Sequence, residues 1–272
     1  MASDQLLDGS QRSSDAPDVP DVPEPASEAP GTPGFVHRRR WWLAGASGAV
    51  LLAVVAAFLV VAPGDDSPAQ KRYVSFPELC PSVIKGSFQQ YMPNAGPLVE
   101  ESPEQSAPGT LYRTCDWSEP MTANGTDVVT SRKLRVAARL HGGDDPIAAA
   151  TSEYEAAWGG ARSMAGTQDD SLGSLHAEAP STVDGIGDHA FTHHRTLRSA
   201  LADSGTVEAT VRLRNVVVTV DYRGSTYPLG ADGSPELSKS APLDEATARA
   251  GAVAIARDVA NTFTSCAACL GG

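Results

Sequence analysis

The sequence predicts an α+β domain, a mostly antiparallel sheet packed with helices, preceded by one transmembrane helix. Three observations carry that expectation. The run 41–62 has 22 residues without a charge and spans about 33 Å as a helix at roughly 1.5 Å per residue, enough to cross a bilayer. Beyond it, apolar residues recur at helical spacing in three stretches and alternate at strand spacing in several others. The strand signals come in runs, without strict alternation with helices, which is the pattern of antiparallel pairing.

Residues 1–36 cannot form a core. They hold seven acidic residues (Asp4, Asp8, Asp15, Asp18, Asp21, Glu24, Glu28) against Arg12, with Pro every two to three residues at the centre. Such a segment is expected to be disordered with a polyproline bias, and its Ser10, Ser13, Ser14 and Thr32 are open to phosphorylation. His37, Arg38, Arg39 and Arg40 precede the apolar run, Trp41 and Trp42 stand at interface depth, and Pro63-Gly64-Asp65-Asp66 ends it. The positive-inside rule places the tail in the cytoplasm and residues 63–272 outside the cell membrane. A cleaved signal peptide is the competing reading of Val60-Val61-Ala62, but the run exceeds the ~7–15 residues of a signal core and Pro63 follows the cut. No Cys follows the run closely, so lipid attachment there is excluded. The expected organisation is an acidic tail 1–36, a basic flank and transmembrane helix 37–62, a linker 63–74 and an extracytoplasmic α+β domain 75–272.

In that domain, Ser75-Phe76-Pro77-Glu78 has capping-box spacing, and Ile84, Phe88 and Tyr91 set a helix over 78–92. Residues 94–109, with Pro97, Pro103 and Pro108, read as a loop. Strands are expected at 111–117 and 133–141, the second with Leu134, Val136, Ala138 and Leu140 alternating with Arg135, Ala137 and Arg139. Asp144-Asp145-Pro146 opens a helix whose apolar face is Ile147, Ala150, Tyr154 and Trp158, and Gly159-Gly160 ends it. The stretch 163–184 holds at most one weak edge strand. Strands return at 190–194 and 198–201. Residues 207–222 form a hairpin or bulged bend around Asn215, since Asn tolerates positive φ. Pro242 and Asp244 open a last helix with Ala248, Ala252, Ile255, Ala256, Val259 and Phe263 on one face.

All four cysteines, Cys80, Cys115, Cys266 and Cys269, lie on the outer side, where disulfides are the default. Zinc needs a second Cys-x-x-Cys knuckle that the chain lacks. A thioredoxin-type site needs its first Cys at a helix N-terminus, and here the pair trails the last helix. The expected pairing joins Cys80 to Cys115 and Cys266 to Cys269. The rival ties the last helix to Cys80 or Cys115.

Leu79-Cys80-Pro81, Cys115-Asp116-Trp117, Gly185-Ile186-Gly187-Asp188-His189-Ala190-Phe191, Arg214-Asn215-Val216-Val217-Val218 and the closing Ala-rich helix together resemble an actinobacterial envelope domain family of unknown function. Its members are small lipoproteins and extracytoplasmic domains similar to the sensors of mycobacterial-type Ser/Thr kinases. The resemblance covers about 75–265 and implies a helix-covered antiparallel sheet of the Mog1p/PsbP-like sandwich kind. The chain departs from the lipoprotein members in its spanning helix and cytoplasmic tail.

The net charge of minus 12, from 33 acidic against 21 basic residues, argues against nucleic acid as a partner. His189, His193 and His194 invite a metal, with Asp188 the one carboxylate near them, but a polar strand face accounts for them. Ser174 near His176 lacks the strand-turn-helix setting of a nucleophile. The pairs Asp65-Asp66, Asp144-Asp145 and Asp169-Asp170 splay apart, so they do not form a catalytic carboxylate pair. Trp117, Tyr154 and Trp158 read as core aromatics, and Asn124-Gly125-Thr126 is a bare glycosylation tripeptide. No Gly-rich phosphate loop is present. No cofactor, metal or catalytic residue is expected. The function expected is a binding or sensing module displayed outside the membrane, engaging an envelope protein or a lipid or glycan ligand. The alternatives are an assembly factor whose acidic tail recruits a partner, and an envelope hydrolase assembled only in three dimensions.

Overall fold

The computed structural model describes residues 71–107, 109–121, 127–171 and 173–271. The tail 1–36, the apolar run 41–62, Asp65-Asp66 and Asn124-Gly125-Thr126 therefore lie outside the described residues. No helix among the described residues is long and apolar enough to cross a membrane. The described residues belong to one compact unit.

Its strands are β1 (Arg72–Tyr73), β2 (Val99–Ala107), β3 (Thr110–Ser118), β4 (Val128–Leu140), β5 (Gly166–Asp170), β6 (Gly173–Ala177), β7 (Ser181–Thr182), β8 (His189–Ser199), β9 (Ser204–Leu213), β10 (Val216–Pro228), β11 (Ala241–Pro242) and β12 (Leu270–Gly271). The helices are α1 (Leu79–Lys85), α2 (Phe88–Tyr91), α3 (Pro146–Ser163) and α4 (Glu245–Ser265). One sheet runs β2-β3-β4-β10-β9-β8-β6-β5, with β11 on β10 and β7 on β8. Every described pairing in it is antiparallel. The expected α+β class with a mostly antiparallel sheet is what forms.

Alternation divides each central strand between two faces. One face carries Cys115 and Trp117, Leu134, Val136 and Ala138, Val218, Val220 and Tyr222, and Val207, Ala209 and Val211, all buried in one core. Helix α4 covers it with Ala248, Ala252, Ile255, Val259 and Phe263, the periodic face expected of that stretch. Asp244 caps α4 by accepting from Thr247 N–H at 2.9 Å. The other face meets α3, where Tyr154 and Trp158 set their rings edge-on against Phe191 at 5.4 and 5.2 Å between centroids.

Several expectations need correction. The single helix over 78–92 is two, and it begins at Leu79, so Ser75 does not cap it. The break follows Gly86: a Cβ there would strike the Asp258 carboxylate of α4, while Asp258 Oδ2 accepts from Ser87 N–H at 2.6 Å. The end of the linker forms β1, which pairs with β12. The Pro-rich loop at 94–109 contains an edge strand, β2, and Pro103 falls in the register shift between Glu101 and Glu104; a bulged edge is where Pro is tolerated. Helix α3 continues through Gly159-Gly160 to Ser163, and a Cβ at either glycine would meet nothing within 4 Å. The stretch 163–184 holds three strands, β5, β6 and β7. The two pieces at 190–194 and 198–201 are one strand, β8, ending at Ser199.

In the β9–β10 hairpin Leu213 pairs with Val216, and the positive φ falls on Arg214, at 54°, not on Asn215. Asn215 is fully buried for another reason. Its side chain bonds the Tyr73 backbone and the His141 carbonyl, tying β1 and the end of β4 to the hairpin.

Both expected disulfides form. Cys80–Cys115 joins α1 to β3 with Cα atoms 5.6 Å apart, and Cys266–Cys269 closes at the end of α4 with 5.3 Å. The connectivity tying the last helix to Cys80 or Cys115 is thereby overturned.

Candidate functional site

Helix α3 covers only part of its face of the sheet. Beside it lies a recess of about 350 Å³ lined by Tyr112, Arg135, Arg139, Glu153, Glu208 and Asp221, with Thr219 and Arg223. Strand register explains this lining. Asp116, Arg135, Asp221, Glu208 and His193 are successive cross-strand partners from β3 through β4, β10 and β9 to β8. They form one charged row across five strands, on the face opposite the Val and Leu core.

Arg195 Nη2 lies 3.5 Å from Glu208 Oε2 and 3.7 Å from Asp221 Oδ2. Arg223 Nε is 4.0 Å from Asp221 Oδ1, and Arg135 Nε is 3.8 Å from Asp116 Oδ1. On the α3 side, Glu153 binds Arg139 Nη1 at 2.9 Å and His141 Nε2 at 2.6 Å. Arg139 stacks over Tyr112, 5.5 Å from the ring centroid.

Burial pushes the Glu208 and Asp221 carboxyls above their ordinary range, and the neighbouring arginines only partly offset it. Burial likewise pushes His193 below the ordinary imidazole value, and Arg195 adds to that shift. His193 is 1% exposed, and its Nε2 has no hydrogen-bond partner among the described residues. The two perturbed carboxyls, Glu208 and Asp221, line that recess, with His193 next in the row outside its lining, and such groups mark a candidate binding surface. Alternating guanidinium and carboxylate groups beside one aromatic ring suit a polar ligand that donates and accepts hydrogen bonds.

The histidines singled out from the sequence separate. His189 and His193 lie on the α3 face with Phe191. His194 faces α4, where Nδ1 stands 3.1 Å from Glu178 Oε1 and 3.6 Å from Glu245 Oε2. These three side chains offer ligand atoms within 4.8 Å of one another. Arg249 Nη2 binds the other oxygen of each carboxylate, at 3.0 and 2.7 Å, and its Nη1 donates to Thr192 Oγ1 at 2.6 Å. The guanidinium thus supplies the countercharge, and its hydrogen bond holds the Glu245 carboxyl below the usual range. The four side chains fasten the first turn of α4 to β8.

Ser174 sits in β6 opposite Asp169 and Arg198, and His176 bonds Thr167 Oγ1 instead, at 3.0 Å. Asp145 caps α3 by accepting from Ala148 N–H at 3.0 Å, whereas Asp169-Asp170 belongs to β5. Trp117 is a core aromatic, its ring 5.1 Å from that of Phe88. The sequence reading did not single out Glu208, Asp221 or Arg195. The available signal was their position: each alternates with buried residues on a long strand, so a charged side chain is carried into the middle of a sheet.

Neither a protein-family model nor a curated protein matches the chain. Two solved structures are similar to it. The extracellular domain of PknH from Mycobacterium tuberculosis shares 12% identity at a TM-score of 0.37, covering 64% of this chain and 89% of that one. LpqN of Mycobacterium tuberculosis, involved in cell envelope biogenesis, shares 13% at a TM-score of 0.28, covering 59% and 88%.

Proposed function

We propose that the chain is a membrane-anchored binding or sensing module of the bacterial cell envelope that takes its ligand in the charged recess beside α3. In this reading the run 41–62 spans the membrane, the acidic tail stays in the cytoplasm, and residues 64–272 stand outside. Two disulfides, which persist in oxidising compartments, support the outer location. The observation that carries the binding role is the partly buried Glu208–Arg195–Asp221 set on an open sheet face. Packing alone would place apolar residues there, because mutually paired buried charges add little to stability.

The test is complementation of a deletion strain under envelope stress. A chain carrying Arg135→Ala, Arg139→Ala and Arg223→Ala is expected to fail while remaining folded and in the membrane, and a chain lacking residues 2–36 is expected to succeed. The reverse result would replace this reading with the assembly factor that works through its tail. A cytoplasm-dependent reporter should be active at the N-terminus and silent at residue 272.

A further inference from the structure

A second region collects cations around the β9–β10 turn; it borders the charged recess, since its Arg212 is the cross-strand partner of Val217, which lines that recess. Two recesses of about 380 and 400 Å³ share Asp188 and Arg214 in their walls; Arg257 and Asn261 line the first, Lys71 and Arg212 the second. Asp188 is the one carboxylate in either lining, and it is committed: its Oδ2 accepts from Arg214 N–H at 2.6 Å and lies 3.9 Å from Arg212 Nη1.

Arg214 occupies a left-handed backbone position, φ 54°, where Gly or Asn would be less strained. Its guanidinium is fixed, donating from Nη1 to the Lys71 carbonyl at 2.6 Å and lying 5.8 Å from the Tyr73 ring centroid. Across the first recess Arg257, on α4, is exposed and makes no ion pair with a described residue. An anchored arginine on a strained backbone that shares one recess with a second, uncommitted arginine offers an anion two cationic partners.

We propose that Arg214 and Arg257 bind a phosphate group, and that its source is the headgroup of an anionic phospholipid. The source follows from where the chain enters the domain, given the span read at 41–62. Residue 71 borders the second recess and follows residue 62 by nine residues, a tether whose full length is about 32 Å at ~3.3–3.6 Å per residue. The site is therefore within reach of the outer leaflet.

The full chain in neutral detergent, at fixed ionic strength, is titrated calorimetrically with inorganic phosphate, with dioctanoyl phosphatidylglycerol and with its phosphatidylcholine counterpart. Phosphatidylglycerol is expected to bind at least about tenfold more tightly than either of the others. Arg257→Gln is expected to weaken it about tenfold, the scale of one charge-assisted contact. Arg214→Asn, which relieves the backbone, should lose binding without loss of the folded state by circular dichroism. Absence of phosphatidylglycerol binding, or unchanged affinity in Arg257→Gln, would overturn the site. Inorganic phosphate binding as tightly as the lipid would overturn the lipid as its source.

Discussion

Asn215 and Tyr73 exchange two hydrogen bonds: Asn215 Oδ1 accepts from Tyr73 N–H at 2.8 Å, and Asn215 Nδ2 donates to the Tyr73 carbonyl at 2.9 Å. The same Nδ2 donates to the His141 carbonyl at 2.8 Å. A side-chain amide thus completes strand pairing that backbone groups would otherwise leave open. Asn215→Ala would strand three backbone groups and is expected to lower stability by about 3 kcal/mol. Asn215→Asp should also destabilise, because it sets a carboxylate against two carbonyls. Urea midpoints measure both, and a change under about 0.5 kcal/mol for the alanine variant would show that the amide pair is dispensable.

The two disulfides should contribute unequally. Cys80–Cys115 closes a separation of 35 residues and Cys266–Cys269 one of 3. In the chain-entropy model these correspond to about 4 and about 1.5 kcal/mol. The double replacement Cys80→Ala/Cys115→Ala is therefore expected to lower the melting midpoint far more than Cys266→Ala/Cys269→Ala. Equal losses would contradict the loop-closure account.

The charged recess should leave a signature in the pH dependence of stability. Glu208 and Asp221 hold their protons more tightly in the folded chain than in the unfolded one. Their favourable contribution is present at low pH and is lost as pH rises from the unfolded carboxylate range, about 4, through their raised folded values. Glu208→Gln is thus expected to raise the melting midpoint at pH 7 by about 2 °C and to leave it unchanged at pH 4. His193 runs the other way. Its folded value is lowered, so its contribution is complete above about 6.5 and is lost as pH falls through that value to the folded one. His193→Gln should therefore lose less stability than the parent between pH 7 and pH 5. Parallel pH profiles for parent and variants would refute these assignments.

Gly251→Ala would normally strengthen a helix by about 1 kcal/mol. Here the new Cβ would stand 3.0 Å from Tyr91 Cδ1 and 3.2 Å from Tyr222 Cε1. Neither ring can retreat easily, since Tyr222 is fully buried and donates its hydroxyl proton to the Tyr91 carbonyl at 2.7 Å. The same burial pushes the Tyr222 phenol up to about 12. The expected result is a net loss of about 1 kcal/mol from overpacking, read by chemical denaturation; a gain in stability would show that α4 shifts to make room.

The central strands were legible because β4, β9 and β10 keep a two-residue period over long runs, and α4 because its cap and apolar stripe coincide. The edges were not. In β2 the proline that signals a loop occupies a bulge where no ladder donor is needed. In α3 the glycines that signal a stop are tolerated because the helix is already held by Tyr154 and Trp158 against Phe191. The β9–β10 turn was placed correctly, but its strain was assigned to Asn215 when tertiary contacts put it on Arg214. The candidate site escaped for a related reason: the alternation that identifies buried residues says nothing about which charges the sheet brings side by side until its strand order is known.

The pairing of β1 with β12, Arg72 opposite Gly271 and Tyr73 opposite Leu270, has a mechanical consequence. The ends of this antiparallel pair leave the domain side by side, so tension applied between them would unzip its bonds one after another rather than shear them together. That clasp would release first, exposing Asn215 and the Tyr73 ring while the large sheet remains paired, and a pulling experiment on the two ends should record this early, low-force extension before the domain gives way.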